Sequence, residues 1–235
     1  MFVRKGGAGI RVRPVVWAAA FMLVLALGLT DTARARDCPQ QPVLPAGTKV
    51  PVDGWQAVDG AEGICVYNRR VPGSPIHAVL ARAVIDAAPQ RAFAVIGDYA
   101  HYAEFMPYVR ESRVLSDTGA TRRVFLALDF PLFISDRYST IELSEGSGEV
   151  GQAVQRIEWT LAAAGDAFVP ADGGEPLRVN DGIWELRAQD GGRRTDVLYY
   201  VHTDPGGYLP TWIVELANNV AVPRVIGAVA QRAAH

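Results

Sequence analysis

Few residues of this chain have the types and spacing that catalysis or metal binding requires. The four histidines, His77, His101, His202 and His235, show neither metal-ligand spacing nor an HExxH pattern. No GxSxG, P-loop or GxGxxG motif is present. Asp204-Pro205-Gly206-Gly207 is better explained as a turn than as an acid site, because proline fixes the backbone and glycines permit positive φ. We therefore expect no catalytic residue, no metal and no other cofactor.

Arg137 is the polar residue whose position most suggests a binding role. Strand alternation places it on one face with Ser139, Ile141 and Leu143, where an unpaired charge would be costly. Either it contacts a polar group of a ligand, or it pairs with a carboxylate such as Asp129, or it lies exposed at the strand end.

Two tryptophans face the same way in neighbouring segments. Alternation places Trp159 with Leu161, and Trp184 with Leu186. By itself this periodicity favours core packing over a ligand-binding wall. In either case, a buried indole N–H needs a hydrogen-bond partner.

The composition is that of a folded domain. The chain has 235 residues, of which 49% are hydrophobic and 20% charged, and its net charge is −2. These values exclude a disordered tail, a collagen-like fibre and a polytopic membrane protein. They also give no sign of nucleic-acid binding.

Residues 1–35 have the features of an export signal. Basic residues precede an apolar run at 15–29, which is short of the ~20 residues of a membrane span. Ala33-Arg34-Ala35 then provides a small-x-small cleavage site. We expect cleavage near Ala35 and a periplasmic or secreted protein, with an uncleaved anchor as the alternative. In such a compartment Cys38 and Cys65 should form a disulfide, the alternative being two free thiols.

The rest of the chain predicts one α+β domain. Residues 36–54 form an extended, proline-rich arm, and residues 55–235 form the domain. Alternation and turn residues predict strands at 63–70, 76–85, 110–116, 122–130, 136–144, 152–161, 181–188 and 195–203. Helices are predicted from Pro89, over 98–106, and over 209–233, where Pro223 should kink or break the last helix.

The C-terminal sequence is similar to that of a known family. Residues 198–223, LYYVHTDPGGYLPTWIVELANNVAVP, resemble the final strand, turn and helix of START domains, the steroidogenic-acute-regulatory-protein-related lipid transfer family. The DPGG-x-LP-x-W segment, 204–212, is most similar to the phosphatidylcholine-transfer branch. Ile134-Ser135-Asp136-Arg137 resembles the family's SDRD strand start, with Tyr138 replacing the usual acid. The resemblance covers residues 55–233.

This resemblance implies a helix-grip (START/Bet v 1-like) fold, in which a curved antiparallel sheet surrounds a long C-terminal helix and an internal hydrophobic cavity. It implies a non-enzymatic, monomeric carrier of one phospholipid, sterol, hopanoid or similar molecule, with transient membrane contact. One alternative is a cyclase/aromatase-like enzyme that uses Glu104 or Asp136 with His202. Another is a structural protein with a solid core.

The expected site follows from the strand faces and the resemblance together. The residues expected to line the cavity are Arg137, Ile141, Leu143, Trp159, Leu161, Trp184, Leu186, Tyr199, Ile213, Leu216 and Val220. In an uninterrupted meander, the connections 130–135, 164–181 and 204–208 fall at one end of the sheet, together with the start of the last helix. We expect a gate there, formed by Phe168, Val169, Gly206 and Gly207. Phe168 and Val169 either dip into a bilayer or pack on the sheet.

Overall fold

The computed structural model describes most of the chain after the leader. The described residues are 38–61, 63–129, 135–147, 154–171, 173–207 and 210–235, with backbone only for 59–61, 147 and 211–218. The expected signal at 1–35 lies outside them. No helix among these residues is both long and apolar enough to cross a membrane.

The described strands form one large, nearly all-antiparallel sheet. They are β1 Trp55–Ala61, β2 Ile64–Arg69, β3 Ala78–Ile85, β4 Val109–Asp117, β5 Arg122–Leu128, β6 Arg137–Ser147, β7 Val154–Leu161, β8 Glu175–Pro176, β9 Val179–Gln189 and β10 Arg194–Asp204. The order across the sheet is β1-β2-β3-β10-β9-β7-β6-β5-β4, and the short β8 pairs in parallel with β6. All eight predicted strands are present, and β1 and β8 were not predicted.

In the described part of the chain, three α-helices accompany the sheet: α1 Pro89–Ile96, α2 Tyr102–Phe105 and α3 Thr211–Ala233. Pro89 opens α1, as expected, because its missing N–H would have no partner there. Pro210 is the N-cap residue of α3, directly before its first turn. The helix continues through Pro223 without a break. Together with the sheet, α3 gives the expected helix-grip α+β architecture.

The sheet has an apolar cluster on each face. The inner core combines the inward residues of the strands with α1, α2 and the second half of α3, where Val222, Ile226 and Val229 are buried. The cluster on the other face, which we call the outer cluster, consists of Val50, Trp55, Tyr67, Ala78, Leu80 and Leu198. The sequence predicted one apolar face, so the outer cluster is a finding of the structure.

The N-terminal arm covers part of the outer face and is held there. The Cys38–Cys65 disulfide joins the arm to β2, with the two Cα atoms 5.4 Å apart. Thr48 Oγ1 and the Lys49 N–H donate to Glu185 Oε1, at 3.1 and 3.3 Å. Glu185 is fully buried in β9. The arm is therefore part of the folded domain.

A pair of arginines neutralises this buried carboxylate. Arg156 donates to Glu185 Oε1 at 2.9 Å, and the Arg187 guanidinium lies 2.9 Å from Oε2. Burial alone would raise the pKa of Glu185, but the hydrogen bonds and charges of the two arginines outweigh it and lower that pKa. Glu185 is therefore ionised at neutral pH and anchors the arm.

Candidate functional site

A cavity of about 190 Å³ lies between the inner face of the sheet and the helices. Five of the predicted lining residues stand in its wall: Ile141, Leu143, Trp159, Trp184 and Tyr199. Alternation accounts for this, because all five point to the same face from β6, β7, β9 and β10. Among the described residues, no Lys, Arg, His, Asp or Glu lines the cavity.

Aromatic rings form the floor of this cavity. The Trp184 and Tyr199 ring centroids are 4.1 Å apart, and the stacked Trp159 and Tyr199 centroids are 6.0 Å apart. Gly182, opposite Trp159 in the β7–β9 pair, leaves room for the indole. A Cβ atom at this glycine would lie 2.0 Å from Trp159 Cζ2. The glycine is thus needed for the observed position of the Trp159 ring.

The predicted need of Trp159 for a partner is met by a residue that sequence reasoning missed. Its indole N–H donates to Asn180 Oδ1 at 3.1 Å, and Asn180 Nδ2 donates to Ser139 Oγ at 3.3 Å. Asn180 itself lines the cavity, and Thr203 of β10 lies directly opposite it and lines the cavity too. Together with tyrosine hydroxyls, Asn180 and Thr203 supply the polar part of an otherwise largely apolar wall.

Tyrosines in the wall add hydroxyl groups without adding charge. Burial raises the pKa of Tyr99, Tyr102 and Tyr199 well above the usual range of phenols. Tyr102 donates its hydroxyl to the Ile96 carbonyl. These side chains therefore stay neutral at physiological pH.

The connection between α2 and β4 closes one side of the cavity. Met106, Pro107 and Tyr108 line the wall there, and Tyr108 has a left-handed φ of 64°. Such a φ costs a non-glycine residue about 1–2 kcal/mol, so surrounding contacts must hold it. Arg224 of α3 donates to the Tyr108 hydroxyl at 2.7 Å, and the Asp129 N–H donates to its carbonyl at 2.9 Å.

Arg137 is buried on the inner face, as its parity predicts, but it does not line the cavity. Its Nε donates to the Pro205 carbonyl at 2.8 Å. One terminal nitrogen donates to the Ser135 carbonyl and hydroxyl at 2.5 and 2.7 Å, and the other lies 3.3 Å from Glu175 Oε2. The structural alternative thus describes this residue, with Glu175 as its partner instead of Asp129.

These contacts join three chain connections at one end of the sheet. Ser135 precedes β6, Glu175 lies between β7 and β9, and Pro205 lies between β10 and α3. Gly207 approaches the pair so closely that a Cβ atom there would lie 2.9 Å from Glu175 Oε2 and 3.2 Å from an Arg137 nitrogen. The shared end predicted by the meander argument is present among the described residues.

Besides Arg137, three of the predicted lining residues are not in the cavity wall. Leu186 is fully buried in the inner core and Leu161 packs against it, but both lie beyond the cavity. Val220 is 42% exposed, because the inward stripe of α3 runs through Val222 and Val225, which lie nearly half a turn around the helix from it. The side chains of Ile213 and Leu216 lie outside the described residues.

The predicted gate residues have different surroundings. Phe168 packs edge-on against Phe125, with centroids 4.7 Å apart and the Arg113 guanidinium 4.3 Å from its ring, so it packs on the sheet. Val169 is 67% exposed. Gly206 and Gly207 form the expected turn, with φ of 68° and 73°.

The acid and base groups of the enzyme alternative do not reach the cavity wall. Glu104 and Asp136 are about half exposed and face Arg232 and Arg110 respectively. His202 is buried and bonds to Ser74 Oγ at 3.0 Å, while its neighbours Val201 and Thr203 line the cavity. In the described part of the chain, no group of three or more His, Cys, Asp or Glu is placed to hold a metal ion.

A curved sheet that grips a long helix over an apolar cavity defines a helix-grip protein of the START type. The chain belongs to the family described as polyketide cyclase / dehydrase and lipid transport, which matches residues 85–230. Bovine (Bos taurus) phosphatidylcholine transfer protein is 26% identical over 175 residues, 73% of this chain and 80% of that protein.

Solved structures share this fold. A STAR-related lipid transfer protein from Xanthomonas axonopodis superposes with a TM-score of 0.69 and 23% identity, covering 78% of this chain and 100% of the other. Human STARD10 superposes with a TM-score of 0.68 and 17% identity, covering 79% and 75%. At such identities the likeness establishes the fold.

Proposed function

We propose that this protein is an exported, non-enzymatic carrier that holds one hydrophobic molecule in the cavity beneath α3. The observation that supports it is the cavity itself, whose described wall is largely apolar and uncharged. Burial of apolar surface supplies most of the affinity in such a site, and a few polar groups orient the ligand. The bovine and Xanthomonas relatives are both lipid transfer proteins, which supports transfer rather than catalysis.

The cellular setting is part of the proposal. The export features of residues 1–35 and the disulfide both fit an oxidising compartment outside the cytoplasm. We propose that the carrier is a monomer that touches a membrane briefly to load and unload. Exposed Val169 offers an apolar contact for that step.

The test is native mass spectrometry of the protein purified from its natural host, followed by organic extraction of any adduct. A stoichiometric adduct of one lipid class is the expected result. An apo mass with no uptake from a host lipid extract would exclude a carrier. A bound molecule that leaves chemically altered would instead indicate an enzyme.

A matched pair of variants shows whether the adduct occupies this cavity. Ala221 lines the cavity, whereas its neighbour Val220 is exposed. Ala221→Phe should fill the site and remove most of the adduct, and Val220→Phe should retain it. Equal loading of the two variants would place the ligand elsewhere.

A further inference from the structure

Apart from the tyrosine hydroxyls, the polar groups in or next to the cavity wall lie on four neighbouring strands. In the order β6, β7, β9 and β10 these are Ser139, Trp159, Asn180 and Thr203. Asn180 and Thr203 are cross-strand partners, so their side chains emerge next to each other. We call these two residues the polar pair.

The orientation of the Asn180 amide is fixed from both sides. An indole N–H can only donate, so its bond to Asn180 identifies the acceptor as the amide oxygen. The amide nitrogen therefore points to Ser139, whose hydroxyl accepts one of its two N–H groups. The second N–H has no partner among the described residues, and Asn180 is about 9% exposed. A buried donor of this kind is costly unless a ligand or water accepts from it.

A positive charge to hold an anionic headgroup is missing from the wall. Beyond residue 37, every arginine and the single lysine fall within the described residues, and none of them lines the cavity. Arg137 lies two residues from Ser139 on the same strand face but does not line the cavity either. All three of its nitrogens are already engaged by Pro205, Ser135 and Glu175.

The size of the cavity also argues against a phospholipid as the ligand. Its volume of about 190 Å³ is below the ~300–1,000 Å³ of typical small-molecule pockets. A compact molecule fits this space better than a lipid with two acyl chains and a phosphate.

We infer that the ligand is a compact, uncharged, mostly apolar molecule with one hydroxyl or carbonyl oxygen, which binds to the polar pair. This inference rests on the proposed carrier function. In this arrangement Asn180 donates to the ligand oxygen and Thr203 can donate or accept. Ser139 and Trp159 are positioning residues, because they act by holding the amide.

Four probes with the same ten-carbon chain separate the possibilities: decane, decan-1-ol, decanoate and decyltrimethylammonium. Delipidated protein is titrated with each, and binding is followed through the emission of the cavity tryptophans. Decan-1-ol should bind at least about tenfold more tightly than either charged probe, because a buried charge without a partner is costly.

Two variants test the polar pair. Asn180→Leu should lower the ratio of decan-1-ol to decane affinity about three- to tenfold, the range expected for one lost hydrogen bond. Thr203→Val keeps the shape of its side chain and should lower the ratio by a smaller factor, so the test stands even if Asn180→Leu folds poorly. Thermal unfolding of each variant confirms that it is folded.

The outcomes distinguish this inference from the carrier function. Binding of decanoate or decyltrimethylammonium as tight as that of decan-1-ol would overturn the inference and leave the carrier intact. So would an unchanged affinity ratio in both variants. If no probe binds, the inference is tested on the molecule that co-purifies from the host. An uncharged adduct with an oxygen atom supports the inference, and a phospholipid overturns it. Absence of any adduct or uptake would remove both.

Discussion

Replacing Arg137 with methionine should destabilise the fold, because this arginine joins three connections and does not touch the cavity. Methionine fills much of the space but leaves the Pro205 carbonyl, Ser135 and Glu175 without their donor. Hydrogen bonds to charged groups contribute about 1.5–3 kcal/mol each. Water can replace the arginine at exposed Ser135 and at Glu175, whose side chain is 51% exposed. We therefore expect the free energy of unfolding to fall by about 2–4 kcal/mol, mainly through the buried Pro205 contact.

The measurement is urea unfolding followed by tryptophan emission, with ligand loading of the folded variant measured in parallel. Glu175→Gln is the matched control. It keeps the size of a half-exposed partner and should cost less than about 1 kcal/mol. Loading of folded Arg137→Met should stay close to that of the wild type. Unchanged stability together with lost loading would refute the reasoning and return Arg137 to the role of a ligand contact.

Two further substitutions test the packing of the floor and the anchor of the arm. Gly182→Ala should displace the Trp159 ring, which lies 2.0 Å from the added carbon, and cost about 1–3 kcal/mol. Gly146→Ala in β6, with open space around it, is the control, and equal costs would contradict the prediction. Glu185→Gln should be destabilising at neutral pH, where the wild-type carboxylate is ionised beside Arg156. Because the pKa of Glu185 is lowered from 4.5, its contribution is complete above that value and lost as the pH falls through the lower folded-state pKa. The difference in free energy of unfolding between this variant and the wild type should narrow as the pH falls from neutral to acid. A difference that stays constant with pH would contradict an anchoring role for ionised Glu185.

The sequence predicted the strands whose alternation is regular and missed those without it. β1 is interrupted by a register shift between Val58 and Ala61 where it pairs with β2, so its period is broken. β8 has two residues and is defined only by its pairing with β6. The outer cluster was missed for a related reason. On β2 and β3, residues of the outer cluster alternate with apolar residues that face inward. Both faces of these strands are therefore apolar, and alternation of apolar and polar residues cannot tell the two faces apart.

The sequence predicted which face of each strand points to the site, but not which positions along the strand line the cavity. Leu186 and Trp184 share a face, yet only Trp184 reaches the cavity, because alternation says nothing about where helices leave a gap. Asn180 did carry a usable signal, since counting back from Trp184 in steps of two places it on the same face. It was missed because the predicted strand began at residue 181, whereas β9 begins at Val179.

Arg137 shows why sequence alone left its role open. Parity identifies a charge directed inward, and such a charge needs either a ligand or a protein partner. Its partner, Glu175, lies in a connection with no periodic signal, and the Pro205 carbonyl is a backbone group that no side-chain pattern reports. The contacts favour the structural role, because all three guanidinium nitrogens face oxygen atoms of the chain and the side chain does not line the cavity. The interactions that join the three connections thus engage the charge that parity directs toward the inner face, and none of the described residues adds a charged side chain to the cavity wall.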